Sequence, residues 1–255
     1  MGIGTALMLG FGILIFVAAS SVLGIGLWSA RENTIELLRD REEYLVDLLV
    51  ERVRGHLDPV MKANAYLADL INKGVVDPTN EDELISYMRG AMAATPQVVG
   101  MAFVTPDMRM LRYQRASGRI VRTKLPTHAG SRNIERMEQA KAAARPYWGD
   151  LIWSDPIRST ILNRRSPIRR NGQFMGMLIS AITLADLSQF LKDADKESKK
   201  QRSFLLYGSD YVLAHPSMAD GDYPRSARQP IPAIEQMDDP VLRNIWNASL
   251  RGKVW

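Results

Sequence analysis

Tyr147, Trp148, Trp153 and Asp155 fall within one short stretch, YWGDLIWSD. Aromatic walls with a carboxylate suit a planar or cationic small molecule, held by ring faces and charge. The competing use is packing, in which both tryptophans hold a sheet against its helices. A second set is basic. Arg112, Arg115, Arg119, Arg122 and Lys124 make one stretch, and Arg158, Arg164, Arg165, Arg169 and Arg170 make another. If their strands are neighbours, the guanidiniums could bind a carboxylate or phosphate, and Arg112 is the candidate from this set. Alternating charge along a strand is also what a water-facing side looks like, and that reading is favoured.

Other chemistries find little support. Asp150 and Asp155 could act as a general acid and base in a membrane-anchored hydrolase, but an Asp pair in a loop is usually solvated. His56, His128 and His215 are far apart and lack metal-ligand spacing. No Gly-x-Ser-x-Gly elbow, His-Glu-x-x-His pair or P-loop is present. The absence of cysteine removes disulfides, thiolate metal sites and a cysteine nucleophile. No cofactor or metal is therefore expected. A formal charge of +5 is too small to argue for nucleic acid, and stacking aromatics are not interleaved with the arginines.

The first thirty residues carry no charged side chain, and the run from Ile3 to Trp28 is long enough to cross a bilayer as a helix. A cleaved signal peptide would want a basic n-region, and no Lys or Arg precedes the run, so a retained anchor is the favoured reading. Ala6 with Gly10, and Ser20 with Gly24, would allow close helix–helix approach, although Gly and Ala are common in membrane helices anyway. Arg31, Arg39 and Arg41 follow the span, which by the positive-inside rule would place the remainder in the cytoplasm.

Beyond the anchor, about 225 residues suffice for one large domain or two small ones. Residues 31–73 read as a long stalk helix, with Ile35, Leu38, Leu45, Leu49, Val53, Leu57, Val60, Leu67 and Ile71 on one stripe. Pro59 is expected to bend or break it near 56–58. Asn80 can cap a second helix over 81–94. Strands are expected over 98–104, 110–115 and 119–124, then a polar helix capped by Ser131. The stretch 157–170 leads to the Asn171-Gly172 hairpin and an apolar strand over 174–183 that should be central. Ser180 on that strand is a further binding candidate. A helix over 184–193, a charge run, a hairpin over 204–214, a loop-like stretch and a last helix from Asp239-Pro240 complete the order. The fold class is α+β, divided into a transmembrane helix (3–28), the stalk (31–73), a sensor-like module (75–194) and a partial second module (202–255). Two strands and a helix make a poor core, so the second module reads as incomplete.

This layout resembles the double Cache family of PAS-like extracytoplasmic sensor domains. The resemblance is carried by the stalk helix, by Trp153–Pro156 (WSDP), by Ser166-Pro167-Ile168 followed by NGQFMGMLISAITLADLSQFL, and by Phe204–Pro216 (FLLYGSDYVLAHP). The texture is most similar to sensors of alphaproteobacterial class III adenylate/guanylate cyclases. The resemblance implies an antiparallel sheet with helices on one side and a periplasmic location at the inner membrane, against the literal charge reading. It further implies a second membrane span and a cytoplasmic output domain outside this chain; a signalling role would add a homodimer through the stalk. Amino-acid-sensing members place an Arg and then an aromatic pair before the middle helix, and an Asp on the central strand. Here Arg132 matches the Arg, Ile134 and Glu135 replace the aromatics, and Ala181 stands where the Asp would be. The expectation is a non-catalytic input region for an unknown small molecule. The alternatives are a membrane-anchored enzyme and a truncated, non-signalling remnant.

Overall fold

The structure is a computed structural model. It describes residues 2–115, 117–128, 131–154, 157–197, 202–225 and 229–250. The chain divides into two units, Met1–Arg54 and Gly55–Trp255. Helix α1 (Ile3–Asn72) begins in the first and ends in the second.

In the first unit the side chains of Phe11, Ile13, Leu14, Ile15 and Phe16 are exposed, as are Val22, Leu23, Ile25, Leu27 and Trp28. Such a surface is costly in water and natural in hydrocarbon. Among the described residues α1 is the helix long and apolar enough to cross a membrane. Ser21, inside that stretch, donates its hydroxyl to the Val17 carbonyl at 2.8 Å, which satisfies the polar group locally. Pro59 does not break α1, contrary to expectation. Its ring crowds the carbonyl four residues back, and that position is Gly55. Val60, Leu67 and Ile71, just after the proline, are fully buried, so packing holds the helix where propensity disfavours it.

In the second unit α2 (Glu81–Ala93) starts where Asn80 accepts the Glu83 N–H, and three acidic residues in its first turn suit the positive helix end. The main sheet contains β1 (Gly100–Val104), β2 (Arg109–Gln114), β3 (Arg119–Lys124), β4 (Tyr147–Trp148), β5 (Ile152–Ser154), β6 (Ser159–Arg170) and β7 (Gln173–Thr183). Its order is β3-β2-β1-β7-β6-β4, with β5 also on β6, and every pairing is antiparallel. The Asn171-Gly172 turn joins β6 to β7, and β7 is central, both as the sequence predicts.

Side-chain alternation gives the sheet two different faces. Met101, Phe103, Leu111, Ile168, Leu178 and Ile182 pack under the C-terminal part of α1 and under α2. Val104, Met177 and Ile179 lie on the reverse face, under Met137 and Ala140 of α3 (Arg132–Ala142). The long helices thus share one side, and among the described residues the short helix α3 covers part of the other.

Much of the basic character serves helix ends. Arg170 donates to the Ile71 and Val76 carbonyls at the end of α1. Arg115 donates to Met92, Thr95 and Val98 at the end of α2, and Arg169 to Lys141 and Ala143 at the end of α3. Each helix leaves carbonyls unpaired at its C-terminus, with partial negative charge that a guanidinium satisfies. The reading of these arginines as a plain solvated face is therefore corrected.

Helix α4 (Leu184–Glu197) leads to a small sheet, β8 (Leu205–Tyr207) with β9 (Tyr211–Ala214), and to α5 (Pro240–Leu250). The stretch expected to be loop-like contains two 3-10 turns, Pro216–Met218 and Ile234–Gln236. Met218, Tyr223, Ile234 and Met237 join Val212 and Leu242 in a core of their own. At its edge His215 Nδ1 accepts the Ser217 N–H at 3.1 Å, which leaves Nε2 as the protonated nitrogen, 3.4 Å from Asp239. Burial pushes His215 below its ordinary 6.5, only partly offset by Asp239, with Arg202 and Asp195 as further charged neighbours. His56, stacked on Phe190, is lowered by burial too. Below pH 6.5 the unfolded chain takes up protons that the folded one resists, so stability falls as pH drops through that value. The melting midpoint of the detergent-solubilised chain should decline from about pH 7.5 to 5.5, and His215→Gln should flatten that slope.

Candidate functional site

The α3-covered face carries the unusual polar chemistry, and sheet register explains how. Arg112 lies opposite Ala102, Ala102 opposite Ile179, Ile179 opposite Arg165, and Arg165 opposite Tyr147. Residues directly opposite share a face, so these five form one row across β2, β1, β7, β6 and β4. The next row holds Gln114, Gly100, Ala181 and Asn163. Small and apolar side chains, Ala102, Ile179 and Ala181, thus form a floor between two arginines. With neighbouring strands about 4.8 Å apart, the Cα atoms of Arg112 and Arg165 are separated by about 14 Å.

Arg165 is only 1 % exposed. Its Nε donates to Asn163 Oδ1 at 2.6 Å, and its Nη2 is 3.9 Å from Asp150 Oδ2. Asn163 in turn donates to the Asp150 carbonyl at 2.7 Å, and Arg136 of α3 reaches the same Asp150 oxygen at 3.1 Å. The Tyr147 ring lies beside the Arg165 guanidinium, 6.0 Å from its centroid. Gly149 leaves room for this cluster: a Cβ there would lie 2.3 Å from Arg165 Nε, and the guanidinium would have to shift. Three polar atoms of this face are buried with no hydrogen-bond partner among the described residues: Arg165 Nη1, Tyr147 Oη and Arg112 Nε. Burial also pushes the Arg112 guanidinium below its usual value. An unpaired buried donor costs about 1–3 kcal/mol, more for a charged one, which makes this face a candidate site; Arg164 Nε and Arg170 Nε, elsewhere on the sheet, are buried without a partner as well.

The sequence candidates separate accordingly. Arg112 and Tyr147 belong to this face. Arg132 opens α3 one turn before Arg136 and is exposed. Trp148, next to Tyr147, points the opposite way, packing on the α1/α2 core with Arg164 5.5 Å from its ring centroid. Trp153 pairs with Thr160, on Trp148's side of the sheet, and Arg225 sits 4.1 Å from its ring centroid. Ser180 is also on the α1 side, buried and bonded to Asn64. Asp155 lies outside the described residues. The two basic strands, β2 and β6, are not neighbours, since β1 and β7 lie between them. Sequence reasoning left out Asn163 and Arg136 altogether, named Arg165 only within a basic stretch, and named Asp150 only as half of an acid–base pair. Asp150 in particular is turned toward two guanidiniums, those of Arg136 and Arg165.

No protein-family model matches this sequence, and no curated protein matches it. Solved structures do. The ligand-binding domain of the Pseudomonas aeruginosa PAO1 amino acid chemoreceptor PctC, in complex with GABA, is 17% identical, with a TM-score of 0.51 over 75% of this chain and 85% of that one. The ligand-binding domain of Pseudomonas fluorescens chemoreceptor CtaA with L-serine is 15% identical, with a TM-score of 0.50 over 71% and 74%. That of Campylobacter jejuni chemoreceptor Tlp3 with 4-methylisoleucine is 9% identical, with a TM-score of 0.50 over 69% and 72%. The fold is that of a chemoreceptor ligand-binding domain. The α+β architecture expected from the Cache resemblance is thereby borne out, and the solved structures named are binding domains, not enzymes.

Proposed function

We propose that this chain is the extracytoplasmic, ligand-sensing input of a bacterial transmembrane signalling protein, anchored in the inner membrane by its N-terminal helix. The observation that carries this reading is the set of buried, unpartnered donors on the α3 face, in a fold whose solved examples include complexes with GABA and L-serine. A ligand that pairs those donors would stabilise one arrangement of α3 and β6, and its differential affinity is what drives a signalling equilibrium. The output domain, a nucleotide cyclase or another effector, would lie beyond this chain. The test is a thermal-shift screen of the detergent-solubilised chain against amino acids, organic acids, amines and sugar phosphates. A concentration-dependent rise in midpoint supports sensing, whereas a flat response across the panel would favour a non-signalling remnant.

The stalk would form a homodimer. Ile35 and Leu38 are large, apolar and exposed, and lie on the stripe shared with Leu45 and Leu49. The lack of native cysteine makes the test clean. Leu38→Cys and Leu45→Cys should cross-link in membranes, and Glu43→Cys, on the opposite side, should not. Equal cross-linking at all three positions would remove the dimer from the proposal.

A further inference from the structure

The chemistry of the α3 face narrows what it accepts. Arg112 stands on one side of the apolar floor, and Arg165 with Arg136 on the other. The acid that the structure places beside them, Asp150, is already shared between Arg136 and Arg165. Positive charge is in excess at both ends, while Ala102, Ile179 and Ala181 offer no polar side chain between them. An α-amino acid would bring an ammonium group that needs a carboxylate, and no free one faces it in this row. A ligand with one acidic end would leave one arginine's buried donor unpaired.

We infer that this face binds a short linear organic dianion, a dicarboxylate, with one carboxylate on Arg165 Nη1 and Tyr147 Oη and the other on Arg112 Nε. The inference rests on the sensing role proposed above. Charge-assisted hydrogen bonds at both ends give the affinity, and the floor excludes water from the methylene chain between them. The planar fork of arginine also suits a carboxylate better than a lysine would.

The experiment is isothermal titration of the full chain in detergent with succinate, glutarate and adipate. Butyrate, L-serine and putrescine serve as one-ended, zwitterionic and cationic comparisons. One diacid is expected to bind at least about tenfold more tightly than butyrate, and Arg112→Met and Arg165→Met should each weaken it by about tenfold or more. Arg165 is deeply buried and its variant can fail to fold, so each variant's melting midpoint is recorded, and the less deeply buried Arg112 carries the decision. Equal binding of butyrate, or unchanged diacid binding by Arg112→Met, overturns the two-ended site. If L-serine, putrescine or another member of the wider panel stabilises the chain and the diacids do not, the dianion fails while the sensing role stands. If nothing stabilises a folded chain, both fail together.

Discussion

Replacing Gly176 with alanine will cost the folded chain about 4 kcal/mol, from backbone strain and overpacking together. Gly176 sits in the central strand β7 at φ +137°, a conformation that L side chains rarely adopt. A Cβ there would lie 2.3 Å from the Val104 carbonyl oxygen and 3.0 Å from the Phe103 ring. The oxygen belongs to the backbone of β1, so relief requires β1 and β7 to separate, and Val104 is fully buried. The pairing of β6 with β7 also shifts register beside this residue, between Ile168 and Arg169. The comparison is Gly90→Ala on α2, where a Cβ meets nothing within 4 Å. That change should stabilise by about 0.5–1 kcal/mol, as alanine is the better helix former. Urea unfolding of both variants in the same detergent measures the difference. A Gly176→Ala protein within about 1 kcal/mol of the parent would mean that the strand relaxes freely, and the close-approach argument would be lost.

The second large effect is expected at Asn64, a buried amide on the α1 face. Its Nδ2 donates to Ser180 Oγ at 2.8 Å, and its Oδ1 accepts the Ser166 hydroxyl at 2.5 Å. All three side chains are buried. Asn64→Leu strands two hydroxyls away from water and should destabilise by about 3 kcal/mol. The triple variant Asn64→Leu, Ser166→Ala, Ser180→Ala removes every partner at once and should recover most of that loss, since replacing all partners by apolar groups is nearly neutral. A triple variant as unstable as the single one would show that shape, not hydrogen bonding, holds this contact.

These two positions also mark how far the sequence could be read. The order of elements, the Asn171-Gly172 hairpin, the cap at Asn80 and the central place of β7 follow from local patterns that the structure keeps. Faces were harder. Tyr147 and Trp148 look like one aromatic pair, yet alternation sends them to opposite sides, and only pairing with Arg165 and Arg164 fixes which is which. The same holds for the Arg164-Arg165 dipeptide. Both read as water-facing charges, but one is almost fully buried because three strands and α3 close around it. Ser180 and Ala181 reverse in the same way: the polar residue is structural and the plain alanine lines the site. Pro59 failed as a breaker because packing after it outweighed one missing hydrogen bond. The arginines that cap helix ends could not be seen at all, since their partners are 17 to 99 residues away in sequence.

Strand β6 touches everything that matters, and it does so with different residues. Arg165 and Asn163 face α3, Ser166 holds Asn64 of α1, and Thr160 donates its hydroxyl to the Pro230 carbonyl and its backbone N–H to the Tyr223 hydroxyl in the C-terminal module. A strand hydrogen-bonded along both edges moves as a rod, not residue by residue. A displacement of β6 at Arg165 would therefore bear both on the α1 segment that carries Asn64 and on the C-terminal module. The two would hear the same message through one wire, with no relay between them to fall out of step.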